Sequence, residues 1–287
     1  MRILVTGHTG LLGTELVPVL QKNHDVTGCS LPDRDITDAA ATLQVVKEVR
    51  PDLVIHAAAY TAVDESERQP DLAFRVNALG TRNVVIAARE CGADVAYIST
   101  DYVFDGTKGS PYVEFDPPNP TGVYGRSKWA GEQYVRTLAP RYFIIRSAWL
   151  FGAGGACFPD TILRLIREKG QVSVVDDQIG NPTWARDLAE AVSTIVTSGL
   201  HGTYHAVNSS PATWFAFAQA VAREFGAGAD AVLPTTTDKF PRPAPRPQNS
   251  SLRNFVLEES LGYHMRPWIE TLPDYRTSVN RALEESA

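Results

Sequence analysis

A tyrosine and a lysine four positions apart, Tyr124 and Lys128, are the residues whose types and spacing suggest chemistry most directly. On a helix, side chains four apart lie on one face about one turn apart, so the two groups can interact. We expect the Lys128 ammonium to lower the pKa of the Tyr124 phenol from its ordinary value of about 10. Such a phenol can donate and accept protons, which suits the reduction of a carbonyl group. An isolated pair of this spacing is more often an ordinary surface pair, so the interpretation depends on the surrounding sequence.

A threonine, Thr100, is predicted to stand at the end of a β-strand formed by residues 95–100. Ligands of open α/β sheets bind outside the carboxyl ends of the strands. The Thr100 hydroxyl and the Tyr124 phenol can therefore reach one substrate carbonyl, with Thr100 as hydrogen-bond donor and Tyr124 as acid.

A glycine turn of the form GxxGxxG, made by Gly7, Gly10 and Gly13, follows a β-rich run at residues 2–6 and precedes a helical pattern. Strand, glycine turn and helix form the phosphate-binding entry of dinucleotide-binding folds. The glycines let the backbone approach a pyrophosphate, and the helix N-terminus supplies free N–H groups. The turn therefore predicts a dinucleotide cofactor.

The tip of the second predicted strand bears on which cofactor is used. NAD sites carry an acid there that binds the ribose diol, whereas this tip reads Cys29-Ser30-Leu31. No carboxylate is present to repel a 2'-phosphate, and Arg34 could approach one. We therefore expect NADPH to be accepted, with NADH also used.

The elements that must position these residues alternate between strand and helix, which indicates an α/β fold with a doubly wound parallel Rossmann sheet. The predicted strands are residues 2–6, 25–29, 51–59, 95–100, 142–146, 172–175 and 204–207, and a helix capped by Thr37 or Asp38 is predicted to run to Arg50. We expect residues 1–149 to form the NAD(P)-binding domain. Residues 150–287 should form a smaller C-terminal α/β domain that mainly binds substrate, with segments around 172–207 returning to the Rossmann sheet.

A proline-rich stretch at residues 238–247 is predicted to be an extended loop, because proline disrupts helix interiors and central strands. Its arginines, Arg242 and Arg246, are candidates for binding an anionic group of a substrate. The alternative is that both are solvated surface charges.

Composition limits the class of protein. With 44% hydrophobic and 21% charged residues the chain is an ordinary globular one, and a net charge of -6 argues against binding to nucleic acid or to anionic membranes. Cys29, Cys91 and Cys157 have neither paired nor CxxC spacing, so reduced thiols are expected rather than disulfides or a zinc site. No apolar run reaches the length of a signal peptide or a membrane span, so the expected location is the cytoplasm.

On these residues the chain resembles the extended short-chain dehydrogenase/reductases. The glycine turn and the YxxxK pair belong to that family as a whole. Later blocks are similar to the members that reduce the C4 keto group of dTDP-linked 4-keto-6-deoxy-L-sugars. These blocks are residues 56–64, 99–106, 119–132, 146–149, 177–183, 213–214 and 246–252.

The resemblance implies roles for individual residues. Thr100, Tyr124 and Lys128 fall on the catalytic positions. Substrate contacts are expected from Thr100, Asp101, Trp149 and Arg246. The cofactor-binding set is Gly7, Thr9, Gly10, Leu11, Leu12, Gly13, Asp35, Ile36, Ala57, Ala58, Ala59, Tyr60, Thr61, Asn77, Tyr124 and Lys128.

One carboxylate matches a residue that some family members use at a metal-bridged dimer interface. This residue is Glu15, and a single carboxylate makes no metal site. No metal ligand is assigned, and Mg²⁺ and a homodimer stay open.

The expected function is reduction of dTDP-4-dehydro-β-L-rhamnose to dTDP-L-rhamnose with NAD(P)H. Another nucleotide-sugar reductase or an epimerase of the same family is an alternative. A dehydratase is disfavoured because it needs two adjacent carboxylates after the catalytic threonine, and Asp101 is followed by Tyr102. A third possibility, from another class, is a non-catalytic regulatory subunit similar to the β subunit of methionine adenosyltransferase. The presence of all three catalytic-type residues, Thr100, Tyr124 and Lys128, argues against it.

Overall fold

The structure of the protein is a computed structural model that describes residues 1–30 and 35–285. Leu31 and Arg34, which entered the argument for NADPH, lie outside the described residues. The strands are β1 (Arg2–Thr6), β2 (Asp25–Cys29), β3 (Leu53–His56), β4 (Asp94–Thr100), β5 (Tyr142–Ser147), β6 (Leu150–Phe151), β7 (Val172–Val175), β8 (Ile179–Gly180), β9 (Thr183–Trp184), β10 (Gly202–His205), β11 (Ala212–Thr213) and β12 (Val232–Thr235).

The helices follow the strands in alternation through the first half of the chain. They are α1 (Gly13–Gln21), α2 (Ala39–Val49), α3 (Val63–Arg68), α4 (Pro70–Phe74), α5 (Thr81–Glu90), α6 (Val123–Leu138), α7 (Phe158–Lys169), α8 (Ala185–Thr197), α9 (Trp214–Glu224), α10 (Phe255–Leu261) and α11 (Leu272–Glu285). A π-helical turn, Arg75–Gly80, joins α4 to α5. Within the described part of the chain, no helix is long and apolar enough to span a membrane.

The central sheet is parallel and, in the described ranges, has six strands in the order β10-β5-β4-β3-β1-β2. The strand order reverses between β1 and β3, and a ligand crevice forms outside the carboxyl ends of the strands at such a point. The doubly wound α/β fold predicted from the sequence is confirmed.

Neighbouring residues of the central strands are buried on opposite faces, which explains their continuous apolar character. In β3, Val54 packs into the core beneath α2, α5 and α6, whereas Ile55 packs into the core beneath α1 and α8. Both side chains are 0% exposed. A strand with helices on both faces needs apolar residues at successive positions rather than at alternate ones.

The predicted start of α2 is confirmed. The Asp38 carboxylate accepts hydrogen bonds from the N–H groups of Ala40 at 2.9 Å and Ala41 at 3.0 Å, so it satisfies two amides that the first helical turn leaves unpaired. The helix ends where Arg50 adopts the left-handed conformation, with a φ of 48°.

The C-terminal half contributes one strand to the central sheet and builds a smaller layer beside it. Strand β10 pairs with β5, whereas β7, although it lies in the segment expected to return to this sheet, pairs with β12. The reason is local burial: Val174 of β7 and Val232 of β12 share a core with Ala218 and Ala222 of α9. The assignment of domain boundaries at residue 149 stays a prediction.

Apart from a 3-10 turn at Thr237–Lys239, the proline-rich stretch forms neither helix nor strand, as expected of a loop, and it crosses back to the first half of the chain. It passes so close to Gly106 that a Cβ atom there would lie 2.5 Å from the Cβ of Pro247. Gly106 also has a φ of 80°, which favours glycine. Just after the stretch, Asn249 forms an isolated β-bridge with Ile179, which holds this end of the stretch against β8.

Candidate active site

A cleft of about 1110 Å³ lies at the carboxyl ends of the central strands, between the glycine turn and the C-terminal half. Pockets for a single drug-sized ligand span roughly 300–1,000 Å³, so this cleft has room for more than one such molecule. The predicted site residues that line it are Gly7, Thr9, Gly10, Leu11, Leu12, Gly13, Asp35, Ile36, Ala57, Ala58, Ala59, Thr61, Thr100, Asp101, Tyr124, Lys128, Trp149 and Arg246. Tyr60 and Asn77 are not among the lining residues.

The glycine turn has the shape that a pyrophosphate requires. Gly7 has a φ of 76°, and a Cβ atom there would lie 2.6 Å from the backbone nitrogen of Ala58. At Gly13 a Cβ atom would lie 2.3 Å from the carbonyl oxygen of Gly7. Among the described hydrogen bonds, the backbone N–H groups of Leu11 and Leu12 have no backbone acceptor outside α1. Amides at a helix N-terminus that face a cleft form an anion-binding site, so the turn fits a dinucleotide.

At the strand-two tip the described residues present a hydroxyl to the cleft. Cys29 and Ser30 both line it. The Ser30 Oγ accepts a hydrogen bond from the Thr9 N–H at 3.3 Å and lies 2.9 Å from the His8 Nδ1. The wall on the ribose side therefore carries a neutral, hydrogen-bonded hydroxyl at this position.

Asn77 supports the cleft wall rather than lining the cleft. It is 1% exposed, in the π-helical turn, and its Oδ1 accepts from the Tyr60 N–H at 2.8 Å. Its Nδ2 donates to the Tyr60 carbonyl and to the Ser127 Oγ, each at 3.0 Å. Because Ser127 lies on α6, this one amide fixes the segment at Tyr60 against the helix that carries Tyr124 and Lys128. Its direct contact with the cofactor stays a prediction without support from this geometry.

Tyr124 lies in the first turn of α6, beside the end of β4. Burial raises the pKa of its phenol to about 12, a hydrogen bond with Thr100 opposes this rise, and the carboxylate of Asp101 adds to it. The expectation that Lys128 lowers the pKa of this phenol was therefore wrong for this arrangement. Desolvation disfavours the phenolate more than any neighbouring group favours it.

The Lys128 amine binds a backbone carbonyl and lies over an aromatic ring. Its Nζ donates to the carbonyl oxygen of Ile98 at 2.7 Å and lies 4.1 Å from the centroid of the Tyr97 ring. Burial lowers its pKa to about 7, and the carboxylate of Glu132 opposes this effect. Near neutral pH this lysine can therefore gain or lose a proton.

Asp101 is a buried carboxylate at the base of the cleft. It accepts a hydrogen bond on Oδ1 from the Thr100 hydroxyl at 3.0 Å and one on Oδ2 from the Ser250 hydroxyl at 2.5 Å. Burial raises its pKa to about 6, and these hydrogen bonds act in the opposite direction. Sequence reasoning missed Ser250, although it stands in the block 246–252 that carries the family resemblance.

Trp149 lies at the edge of the cleft, half-buried. It stacks on Trp214, with ring centroids 3.5 Å apart and planes 8° apart, and its φ of 44° is unusual for a bulky residue. Its indole also covers Gly180, where a Cβ atom would lie 2.3 Å from the ring. The ring thus faces the cleft and at the same time joins the end of β5 to the start of α9.

The two arginines of the proline-rich stretch line the cleft and share one carboxylate. Arg246 donates to the Asp64 Oδ1 at 2.9 Å, and Arg242 lies 3.6 Å from the other oxygen of Asp64. The Arg246 side chain is 17% exposed and that of Arg242 is 51% exposed. Arg246 is therefore a held, half-buried cation that faces the cleft, whereas Arg242 is largely solvated.

Ser147, at the end of β5, is a lining residue that the sequence reasoning also missed. It is 7% exposed, and its Oγ has no hydrogen-bond partner among the described residues. An unpaired buried hydroxyl is unfavourable, so this group is available to a ligand in the cleft. Its one sequence signal was its position at the carboxyl end of a predicted strand.

Glu15 lies outside the lining of the cleft and pairs with Arg186 at 3.6 Å. Among residues 1–30 and 35–285, no group of three or more His, Cys, Asp or Glu side chains is placed to hold a metal ion.

Comparison with known proteins gives one family match over nearly the whole chain. Residues 1–281 match the family described as the RmlD substrate binding domain. A curated relative from Streptomyces griseus, a dTDP-4-dehydrorhamnose reductase, is 45% identical over 258 residues, which cover 88% of this chain and 85% of the relative.

Two solved structures share the fold and much of the sequence. A dTDP-4-dehydrorhamnose reductase from Clostridium acetobutylicum superposes with a TM-score of 0.94 and is 42% identical, with 98% of this chain and 100% of that one covered. A dTDP-4-dehydrorhamnose reductase from Bacillus anthracis in complex with NADP has a TM-score of 0.93 and 40% identity, with 96% and 98% covered.

Proposed function

The chain belongs to the family of the RmlD substrate binding domain, and from this premise we propose that it reduces dTDP-4-dehydro-β-L-rhamnose to dTDP-L-rhamnose with NADPH. The observation that carries the proposal is the convergence of Thr100, Tyr124 and Lys128 with the glycine turn in one cleft. The relatives that carry the reductase name cover 88% and 98% of this chain, so the proposal concerns the chain as a whole.

NADPH is the proposed cofactor because the Bacillus anthracis relative holds NADP. The described tip of β2 supports the same choice, since Ser30 places a hydroxyl rather than a carboxylate against the cleft. The turn from Gly7 to Gly13 would hold the pyrophosphate, and Asp35 and Ile36 would lie at the adenosine end. When bound, the cofactor supplies the hydride that reduces C4 of the sugar.

Tyr124 acts as the proton donor in this proposal. Because burial raises the pKa of its phenol to about 12, the hydroxyl keeps its proton throughout the neutral range. It can therefore deliver that proton to the oxygen of the former keto group as negative charge develops there. Thr100, at the end of β4, holds the same oxygen by a hydrogen bond.

Lys128 supplies a group that changes protonation near neutral pH. Its pKa is lowered to about 7 by burial, so it can return a proton towards the site after Tyr124 has given one up. The cleft wall made by Ala57, Ala58 and Ala59 lets a flat ring lie against the backbone.

The nucleotide-sugar substrate is an anion, and Arg246 faces the cleft as its proposed partner. Trp149, which also lines the cleft, is the proposed aromatic partner of the sugar. A homodimer and a cytoplasmic location stay predictions.

The direct test is to incubate the purified protein with dTDP-4-dehydro-rhamnose and NADPH, to follow the absorbance of the reduced cofactor and to identify the sugar product by chromatography. We expect NADPH to be consumed in a one-to-one ratio with formation of dTDP-L-rhamnose. If no NADPH is consumed and the sugar is epimerised or dehydrated, the protein has another activity of the extended family instead. An inert sugar and an unchanged cofactor would favour the regulatory-subunit interpretation.

A further inference from the structure

The Thr100 hydroxyl has one proton and more than one possible acceptor. It donates to the Asp101 Oδ1 at 3.0 Å and accepts from the Tyr102 N–H at 3.2 Å. A hydroxyl donates one hydrogen bond only. While Thr100 gives its proton to Asp101, it has none to offer to an oxygen in the cleft.

Asp101 is placed so that its protonation can change. It is 1% exposed, and no Lys, Arg or His of the described ranges lies within ion-pair distance of it. The groups that face it are the hydroxyls of Thr100, Tyr124 and Ser250, from β4, α6 and the segment that follows the proline-rich stretch. Of the charged groups around this cluster, Arg246 and Asp64 act on Tyr102 and bind each other, and Lys128 lies one turn beyond Tyr124 on α6. Burial raises the pKa of Asp101 to about 6, which is within reach of the neutral range.

Ser250 decides which oxygen of Asp101 can take a proton. Its hydroxyl donates to Oδ2 at 2.5 Å, and its own backbone N–H is fixed to the carbonyl of Ile179 at 2.9 Å. Each carboxylate oxygen already accepts one hydroxyl bond, so an added proton must reverse one of the two. On Oδ2 it would leave the Ser250 proton with no other acceptor among the described residues, whereas on Oδ1 it releases the Thr100 proton, which can turn to an oxygen in the cleft. The added proton therefore belongs on Oδ1, the oxygen that faces Thr100. The hydrogen bond between the two residues then reverses: Asp101 donates, Thr100 accepts, and the Thr100 proton turns towards the cleft.

We propose that Asp101 and Ser250 are positioning residues that control the direction of the Thr100 hydroxyl. In this arrangement Thr100 donates to the substrate keto oxygen only when Asp101 carries a proton on Oδ1, and Ser250 directs the proton to that oxygen. The inference rests on the proposed reductase function. It also gives the C-terminal half a part in the chemistry, because Ser250 binds Asp101 from a position 149 residues later in the sequence.

The test measures single-turnover hydride transfer against pH, with saturating NADPH and dTDP-4-dehydro-rhamnose. For the unmodified protein we expect the rate to fall as pH rises through the titration of Asp101. Ser250→Ala removes a hydrogen bond that favours the carboxylate, so the fall should move to higher pH by about one to two units. In Asp101→Asn the part of the fall that belongs to Asp101 should disappear, because the amide cannot ionise and its Nδ2 can donate to Thr100 as the acid does. Any change with the titration of Lys128, whose pKa is lowered to about 7, should stay.

The neighbouring serine provides a matched control. Ser251 is 1% exposed, and its hydroxyl donates to the Asn249 Oδ1 at 2.6 Å rather than to Asp101. Ser251→Ala therefore removes a buried hydroxyl from the same segment and should leave the pH profile unchanged. Ser250→Thr keeps the hydroxyl and should restore the original profile. Circular dichroism and NADPH binding identify any variant that has not folded.

Two results would overturn the proposal. One is coincident pH profiles for Ser250→Ala and Ser251→Ala, and the other is a pH profile of Asp101→Asn that coincides with that of the unmodified protein. If the unmodified protein does not oxidise NADPH with this sugar, the proposed function fails instead. In that case the titration of Asp101 can still be followed by infrared spectroscopy, through the carboxylic-acid band that is lost in Asp101→Asn. If the midpoint pH of this band were the same in Ser250→Ala as in the unmodified protein, that result would also contradict the inference.

Discussion

Burial controls the titration of the groups that face the reaction. The pKa of the Tyr124 phenol rises to about 12, that of the Lys128 amine falls to about 7, and that of the Asp101 carboxyl rises to about 6. Each shift favours the neutral form, because charge is poorly solvated inside the cleft. Near neutral pH the site therefore keeps a proton on its donor and holds two other groups close to their titration ranges.

The first prediction concerns Tyr124. Tyr124→Phe removes the hydroxyl and keeps the ring, so folding and NADPH binding should be preserved. Turnover should fall by roughly 10²–10⁴-fold, the usual contribution of a positioned general acid. Steady-state reduction of dTDP-4-dehydro-rhamnose, with cofactor binding measured by titration, checks this expectation. A rate near that of the unmodified protein would remove Tyr124 from the chemistry.

The second prediction concerns Lys128 and its coupling to Tyr124. Lys128→Met removes both the amine and its hydrogen bond to the Ile98 carbonyl, so turnover and cofactor affinity should both fall. If both residues act in one proton path, the double variant should lose much less than the sum of the two single free-energy costs. Single-turnover rates of the four proteins complete the cycle. Simple additivity would show that the two side chains act independently.

Helix α6 carries both Tyr124 and Lys128, so its position on the central sheet determines where both side chains lie. A buried ion pair fixes this helix to the central sheet: Glu132 of α6 accepts from Arg146 of β5 at 2.8 Å and 2.7 Å and from Ser99 of β4 at 2.7 Å. The Glu132 and Arg146 side chains are 0% and 1% exposed. Breaking one partner of such a pair leaves an uncompensated buried charge.

The third prediction compares this pair with an exposed one. Glu132→Ala should lower the free energy of unfolding by about 3–5 kcal/mol. Glu168→Ala, which removes the partner of Arg164 on the surface of α7, should change it by about 0–1 kcal/mol. Urea denaturation of the two variants measures both values. Equal effects would show that the buried pair does not hold α6 in place.

The fourth prediction concerns the connection between β5 and α9. Trp149→Ala should raise the substrate KM and leave the cofactor Kd nearly unchanged, because the ring lines the cleft and packs on Trp214 and Gly180 of the C-terminal half. Trp214→Ala removes the stacking partner and keeps the Trp149 ring, so the same change in KM should be smaller. Kinetics and cofactor titration of both variants test this. Global unfolding of Trp149→Ala would instead indicate a mainly structural aromatic between the two halves.

At the scale of the whole molecule, the net charge of -6 opposes the approach of an anionic nucleotide sugar. Local cations at the cleft must therefore provide the attraction. Arg246 and Arg242 both line the cleft, and the carboxylate of Asp64, on α3 in the first half of the chain, pairs with both of them.

The fifth prediction separates the two arginines. Arg246→Ala should raise the substrate KM more than Arg242→Ala, since Arg246 is 17% exposed and Arg242 is 51% exposed, and a less solvated cation interacts more strongly. KM should also rise with salt concentration in the unmodified protein, and this dependence should weaken in Arg246→Ala. Measurements of KM across a salt series test both statements. Equal KM values for Arg246→Ala and the unmodified protein would show that the substrate anion binds elsewhere.

Local patterns were sufficient to predict the first half of the fold. Strand, glycine turn and helix at the start of the chain are encoded in contiguous residues, and the cap at Asp38 depends on a side chain and the next two or three amides. The same holds for the positions of Thr100 and Tyr124 at the carboxyl end of a strand and the start of a helix. Such features follow from spacing and backbone preference within a few residues.

Only the tertiary structure decided the properties that depend on residues distant in sequence. The pKa of Tyr124 depends on burial by several elements, which a four-residue spacing cannot report, and the amine of Lys128 found its partner in the carbonyl of Ile98. The pairing of β7 with β12 depends on apolar contacts with α9. The contact between Ser250 and Asp101 joins positions separated by 149 residues. Sequence determined which groups could react, and packing determined their charges and partners, because desolvation and hydrogen bonding act through space.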